Sequence, residues 1–179
     1  TVMHGRGVLI LGAGPGVVAH RDGLQDLIRE HKLFVIALNT QTSIDAELID
    51  LRAACPPFRL LADCETYRSL PQPLAIPKAR LLDEVRESFS AATKHDFGLT
   101  IKPGVFEFHE KFVVTPSSLV VAYALAMATS GKASHILLAG FDGFGPDDPR
   151  TVEMEELLTN YQAAAGALPV VSITPTRYN

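Results

Sequence analysis

Short apolar runs alternate with longer stretches of helical spacing along this chain. The runs at 8–11 and 33–38 are continuously apolar, which is typical of strands buried on both faces of a parallel sheet. Strands are predicted at 8–11, 33–38, 58–62, 73–76, 135–139 and 168–173, and helices at 17–30, 42–54, 78–92, 117–130 and 151–162. Because strands and helices alternate, we expect an α/β domain in which helices cover both faces of a mostly parallel sheet.

Several residues within these elements have predicted structural roles. Thr42 or Ser43 is the expected N-cap of the second helix, because each hydroxyl can accept from a free amide of the first turn. Gly131 is the expected left-handed end of the fourth helix. Apolar residues at helical spacing predict the buried faces of the first and third helices: Leu24, Leu27 and Ile28, then Leu81, Leu82, Val85 and Phe89.

The segment 97–114 departs from this alternation. It alternates weakly between apolar and polar residues and turns at Pro103 and Gly104, which predicts a short antiparallel excursion. The apolar strand around Phe106 and Phe108 is a candidate for pairing with a second copy of the chain.

Length and composition fit a single domain spanning 1–179. The chain is 47% hydrophobic and 20% charged and has a net charge of -4, so it lacks the basic surplus that nucleic-acid binding requires. It contains no apolar run of about eighteen residues and no signal peptide, which predicts a cytoplasmic protein without a membrane partner. Cys55 and Cys64 fit no zinc spacing, so no metal site is predicted. The first strand follows TVMHGRG at once, so we expect the C-terminal part of a longer protein.

Polar residues collect after five of the predicted strands. In an open parallel sheet the carboxyl ends of the strands meet at one edge, where loops and helix N-termini bind ligands. We therefore expect a binding site there, formed by Gly12, Gly14, Pro15 and Gly16 after the first strand, Asn39 and Thr40 after the second, Asp63 after the third, Gly140, Phe141 and Asp142 after the strand at 135–139, and Thr174, Thr176 and Arg177 after the last.

The glycine turn after the first strand, LILGAGPGVV, resembles a dinucleotide-binding fingerprint but departs from it. The third glycine comes one position early, and Val17 stands where the close helix contact needs a small residue. Asn39 replaces the acidic residue that usually binds the ribose of NAD. Pro15 suits the first position of a helix, and the remaining amides could cradle an anion. The turn therefore favours a phosphate or nucleotide over NAD, with a ligand-free strand-to-helix turn as the alternative.

Three side chains are candidates for direct contact with such a ligand. The Asn39 amide both donates and accepts, which suits a ribose hydroxyl or a base edge. Arg177 could bind a phosphate through two of its donors. Asp142 could bind a sugar hydroxyl or cap a turn. Asp142 and His109 are also the candidates for a catalytic base.

The segments LILGAGPGV, VIALN and TPSSLVVAYALAMATSGKASHILLAGFDGF are similar to a superfamily of Rossmann-like domains. This superfamily includes bacterial sialyltransferases that use CMP-sialic acid and relatives of the archaeal hydroxymethylpterin diphosphokinase. The resemblance implies a Rossmann-like three-layer sandwich and a site for a CMP or CTP type of nucleotide at the glycine turn, Asn39 and 140–142. In those sialyltransferases a catalytic histidine follows the GxDxx segment, whereas 144–162 contains none here.

A narrower resemblance is carried by GRGVLILGAGPGV, IALN, LLAGFDGF and TPTRY. These segments look like a domain appended to the C-terminus of bacterial barrels of the 4-hydroxy-2-oxovalerate aldolase or HMG-CoA lyase type, from surface-carbohydrate loci. It implies a nucleotide- or nucleotide-sugar-binding domain that accompanies a lyase and performs no aldol cleavage itself, since the barrel's metal-binding HxH pattern is absent. A glycosyl- or diphosphoryl-transferase using a CMP-sugar or nucleoside triphosphate is the alternative, and an NAD-dependent oxidoreductase is less favoured. Whether this domain is an enzyme stays open.

Overall fold

A seven-stranded parallel sheet forms the centre of the computed structural model, which describes residues 2–88 and 94–178. The strands are β1 (Gly7–Leu11), β2 (Phe34–Leu38), β3 (Leu51–Ala53), β4 (Leu74–Ile76), β5 (Lys94–Asp96), β6 (Gly98–Ile101), β7 (Glu107–Phe108), β8 (Phe112–Thr115), β9 (His135–Ala139) and β10 (Val170–Ser172). The large sheet has the order β10-β9-β1-β2-β3-β4-β5, and its neighbouring strands all run parallel. The predicted parallel sheet is therefore confirmed.

Helices cover both faces of this sheet. They are α1 (Gly16–Ala19), α2 (Arg21–His31), α3 (Pro57–Ala62), α4 (Cys64–Ser69), α5 (Asp83–Ser88), α6 (Val120–Ser130) and α7 (Pro149–Ala163). In β1, Val8 and Ile10 belong to the core shared with α6 and α7, whereas Leu9 and Leu11 belong to the core shared with α1 and α2. All four side chains have no exposed surface, so β1 is buried on both faces and the protein is a Rossmann-like three-layer sandwich.

The order of the strands creates a crevice at the carboxyl edge of the sheet. From β1 the chain moves to β2 on one side and continues to β5, and β9 later pairs with β1 on the other side. Loops that follow β1 and β9 therefore diverge, which is the arrangement at which open α/β sheets bind ligands.

The excursion is a small mixed sheet with its own turn. β8 pairs with β6 in parallel and with β7 in antiparallel fashion, and Gly104 has a φ of 73° at the predicted turn. Phe106 is 7% exposed, and its ring meets the ring of Tyr161 edge-on at 5.3 Å, while Phe108 contacts Tyr161 at 5.9 Å. The apolar surface of these two rings is thus used inside the chain.

Two predicted elements are wrong. Instead of a helix, 42–54 holds a short 3-10 turn at Ala46–Leu48 and then β3, because pairing with β2 and β4 on either side outweighs local preference. The predicted strand at 58–62 is helix α3. Pro57 stands at the first position of this helix, which its fixed φ favours, and Phe58 and Leu61 are exposed rather than buried.

Smaller corrections concern helix ends and faces. The predicted helix 17–30 divides at His20 into α1 and α2. Leu82, predicted to be buried, is 67% exposed and precedes α5, which begins at Asp83. Phe89 and the end of the predicted third helix lie outside the described residues. Helix α6 ends with Lys132 in the left-handed conformation, not Gly131. None of the helices in the described ranges is both long and apolar enough to cross a membrane.

Candidate functional site

A cleft of about 780 Å³ opens where the loops after β1, β2 and β9 meet. This volume falls within the range of about 300–1,000 Å³ that is usual for small-molecule sites. Residues 119–121, at the start of α6, add apolar surface to the lining. Eight of the residues predicted from strand ends line this cleft: Gly12, Gly14, Pro15, Asn39, Thr40, Gly140, Phe141 and Asp142.

A carboxylate of the protein itself occupies the glycine turn. Both oxygens of Asp142 accept from the amide of Gly16 at 3.1 Å. The Gly14 amide donates to the carbonyl of Gly140 at 2.7 Å, and the Val17 amide donates to the carbonyl of Gly14 at 3.3 Å. Three amides of the expected phosphate cradle, those of Gly14, Gly16 and Val17, are thus already bonded, and a negative charge lies beside them. Gly16, a predicted site residue, contacts Asp142 and does not line the cleft.

Gly140 replaces the glycine that the turn lacks. Its φ is 79°, and a β-carbon there would lie 2.6 Å from Cγ2 of Val17 and 2.8 Å from the carbonyl oxygen of Gly12. Fully buried Val17 can therefore pack closely because the neighbouring strand end has no side chain. The tight helix contact of a dinucleotide fingerprint is obtained here from a glycine that follows a different strand, β9.

Asn39 turns the chain away from β2 and begins the second loop of the cleft. Its φ of 51° is left-handed, a conformation that asparagine tolerates better than most residues. Its Oδ1 accepts from the hydroxyl of Tyr67 at 3.5 Å, which leaves Nδ2 as a donor. The side chain of Gln41 joins this loop to the glycine turn, since its Nε2 donates to the carbonyl of Gly12 and its Oε1 accepts from the Ser43 amide.

A buried guanidinium supports the same loop from behind. Arg52, in the middle of β3, is 1% exposed and donates to the carbonyls of Asn39 at 3.0 Å and Gln41 at 2.6 Å. Its Nε donates to Oε1 of Gln72 at 3.0 Å. Within 2–88 and 94–178 no carboxylate lies at ion-pair distance from it. Burial lowers the pKa of Arg52, but arginine remains charged in proteins.

Two arginines at the cleft have different partners. Nε of Arg59, on α3, lies 3.0 Å from Oδ2 of Asp63. Arg150, on α7, donates to both carboxylate oxygens of Asp148 at 2.9 and 2.6 Å, and its guanidinium lies 3.8 Å from the centre of the Phe144 ring. The hydrogen bonds from Arg150 lower the pKa of Asp148 to about 2. The charge of Arg150 is therefore matched within the protein more completely than that of Arg59.

Three predicted residues near the C-terminus bond to the backbone of 140–142 and do not line the cleft. Thr174 is buried, while the side chain of Arg177 lies outside the cleft. Their role in the structure is to hold the loop after β9 in place. The bonds run from the Gly140 amide to Oγ1 of Thr174 (3.0 Å), from the Thr176 hydroxyl to the carbonyl of Phe141 (2.7 Å), and from the Arg177 amide to the carbonyl of Asp142 (3.1 Å).

Two other candidates lie apart from the lining. Asp63 follows helix α3 rather than a strand, and its contact with the site is indirect, through Arg59. His109 lies beside the small sheet, where its ring stacks on Phe112 at 4.2 Å and its Nε2 is 3.1 Å from Glu107. His109 is thus separated from Asp142, the other candidate for a catalytic base.

Sequence reasoning missed part of the lining. Gln41, Thr42 and Ser43 continue the polar run after β2, of which only Asn39 and Thr40 are predicted as site residues. Arg59 lies within 58–62, which is predicted as a strand but forms helix α3, so its position at the cleft does not follow from the predicted elements. A further group comes from helices whose ends reach the cleft only through the tertiary fold: Leu119, Val120, Val121, Arg150, Glu153 and Met154, together with Tyr178 near the end of the chain.

The fold and the cleft together define a Rossmann-like α/β domain with a ligand-sized crevice at its topological switch point. Comparison of the chain with protein-family models, curated proteins and solved structures gave no match. In the described part of the chain, no three histidine, cysteine, aspartate or glutamate side chains are grouped so that they could hold a metal ion.

Proposed function

We propose that this cleft binds a nucleotide or a nucleotide-activated sugar. The observation that carries the proposal is the combination of three surfaces in one crevice. Apolar side chains of Leu119, Val120 and Met154 offer a surface for a base, the loop after β2 offers donors, and Arg59 offers a cation. A nucleotide needs these three features together, since it joins an aromatic base, a hydroxylated sugar and a phosphate.

A binding role is favoured over group transfer. The titratable side chains that line the cleft are Arg59, Asp142, Arg150, Glu153 and Tyr178, and His109 is not among them. Both carboxylate oxygens of Asp142 already accept from the Gly16 amide, so this side chain is engaged within the protein and is not free to act on a ligand as a base would. The resemblance to domains appended to aldolase-like barrels adds the proposal that the bound nucleotide serves an activity elsewhere in a longer chain. A transferase that uses a CMP-sugar or a nucleoside triphosphate remains the alternative.

Filling the cleft is expected to abolish nucleotide binding. Val120 lines the cleft at the first position of α6, so Val120→Trp places a ring where the base would lie. Isothermal titration with CMP, CTP, a CMP-sugar, ATP and NAD at fixed salt identifies the tightest ligand. We expect its affinity to fall by about tenfold or more in Val120→Trp, which corresponds to about 1.4 kcal/mol.

The matched control is Val152→Trp, because Val152 is 54% exposed on α7 and lies outside the cleft lining. This variant should bind like the unaltered protein. NAD binding more tightly than every other nucleotide, or equal loss of affinity in both tryptophan variants, would contradict the proposal. Release of CMP or pyrophosphate during the titration would favour the transferase instead.

The Asn39 side chain can be tested separately from its backbone. Because φ is 51°, Asn39→Ala combines loss of the amide with left-handed strain of about 1–2 kcal/mol, whereas Asn39→Gly removes the amide without that strain. We expect Asn39→Gly to bind CMP about tenfold more weakly, as for one lost hydrogen bond. Urea unfolding should show it to be more stable than Asn39→Ala. Unchanged CMP affinity in Asn39→Gly would mean that the side chain serves only the turn.

A further inference from the structure

The loops after β1 and β2 differ in the hydrogen-bond donors that they leave open. In the turn 12–16, the amides of Gly12, Gly14 and Gly16 are bonded to other residues of the protein. Pro15 has no amide hydrogen, so Ala13 alone keeps a backbone donor without an acceptor among the described residues. The turn itself therefore offers an anionic ligand a single backbone donor.

The loop after β2 has the opposite property. The backbone amides of Thr40 and Thr42 have no acceptor within the part of the chain that the structure describes. The same holds for the hydroxyls of Thr40, Thr42 and Ser43, and all three residues line the cleft. Nδ2 of Asn39 adds one more donor beside them. An anion needs such donors, and 39–43 offers more of them than the turn 12–16 does. The amides of 141–144 are also without an acceptor in the described ranges, but they belong to the segment that carries the Asp142 carboxylate.

The charged side chains of the cleft also differ between its two ends. Behind the loop lies the buried guanidinium of Arg52, which is bonded to carbonyls and has no carboxylate partner in the described ranges. Arg59 also lines the cleft and lies near Tyr67, whose hydroxyl donates to Asn39, and its terminal nitrogens have no acceptor among the described residues. At the other end, Asp142 and Glu153 are negative, and Arg150 is held by both oxygens of Asp148. Such an arrangement attracts an anion toward 39–43 and repels it from the glycine turn.

We infer that the anionic group of the ligand binds at the end of the cleft formed by 40–43 and Arg59, and that its hydroxyl-bearing part lies toward Asp142. The ligand class is a phosphorylated sugar such as a nucleoside monophosphate. In a dinucleotide-binding fold the phosphate lies at the glycine turn. The ligand proposed here lies the other way round, with its phosphate away from that turn. The carboxylate of Asp142 keeps lone pairs beyond those used by Gly16, and these suit a hydroxyl donor. The inference relies on the proposed function only for the nucleoside part of the ligand.

The test measures the contribution of the phosphate alone. Isothermal titration compares cytidine with CMP, because the ratio of their affinities cancels contacts to base and ribose. We expect a ratio of about ten or more in the unaltered protein, as for a charge-assisted contact, and about three or less in Arg59→Gln. The control is Arg29→Gln. Arg29 is similarly exposed and also paired with aspartates, but it lies on α2 outside the cleft, so this variant should keep the ratio.

A second measurement does not depend on nucleotide binding. Inorganic pyrophosphate is titrated into ¹⁵N-labelled protein, and the inference expects the largest amide shifts in 40–43, with loss of these shifts in Arg59→Gln. A ratio that falls in Arg150→Gln but not in Arg59→Gln, or shifts centred on 12–16, overturns the inference while CMP binding still supports the proposed function. Shifts in 40–43 without any nucleotide binding support the inference and overturn the proposed function. No response to any of these ligands overturns both.

Discussion

A Gly14→Ala variant is expected to lose about 3 kcal/mol of its free energy of unfolding, at the upper end of what overpacking costs. A β-carbon at this position would overlap Oδ1 of Asp142 and would lie 2.5 Å from the carbonyl oxygen of Gly140. A backbone carbonyl cannot move aside as the end of a flexible side chain can. The loops after β1 and β9 must therefore separate to make room for the β-carbon. This separation also weakens the bonds that the Gly16 amide donates to the carboxylate of Asp142.

Urea unfolding followed by circular dichroism measures this loss, and Gly23→Ala provides the control. Gly23 lies in α2, and a β-carbon there would meet nothing within 4 Å. Alanine is preferred over glycine within a helix, so this variant should gain up to about 1 kcal/mol. If Gly14→Ala unfolds at the same urea concentration as the unaltered protein, the two loops are not packed as described.

The strands that could be predicted are those whose burial leaves few choices of residue. β1 and β2 are buried on both faces, so nearly every position is apolar and the run stands out from its surroundings. β3 could not be predicted in the same way, because it is three residues long and carries Arg52 at its centre. Its place in the sheet is fixed by pairing with β2 and β4, which is not encoded locally.

The candidate site, too, could be predicted only in part from the sequence. Strand ends on one edge could be predicted from topology, and Asn39, Gly140 and Asp142 do line one cleft. The reason for the glycines could not be predicted, because Gly14 and Gly140 are required by contact with each other's loops. A motif that resembles a phosphate-binding turn in the sequence is, in the structure, a turn that holds the protein's own carboxylate.

Replacing Arg52 by methionine is expected to destabilise the protein by about 3 kcal/mol or more, since each buried acceptor left without a donor costs about 1–3 kcal/mol. The carbonyls of Asn39 and Gln41 and Oε1 of Gln72 all lose their donor. Removing a buried cation offsets part of this cost, as in proteins where buried ion pairs were replaced by apolar residues. Here, however, two of the acceptors are backbone carbonyls, which no side-chain substitution removes.

Arg6→Met is the matched control for this prediction. The guanidinium of Arg6 also donates to backbone carbonyls, those of Lys32 and Leu33, but at a partly exposed position where water can replace it. We expect Arg6→Met to cost about 1 kcal/mol or less, as for a solvated hydrogen bond. Urea unfolding measures both variants, and hydrogen exchange of the Gln41 amide reports on the loop itself. If the two variants are equally stable and that amide keeps its protection, the loop is held by its own turn and by Gln41, and the buried charge of Arg52 does not organise this end of the cleft.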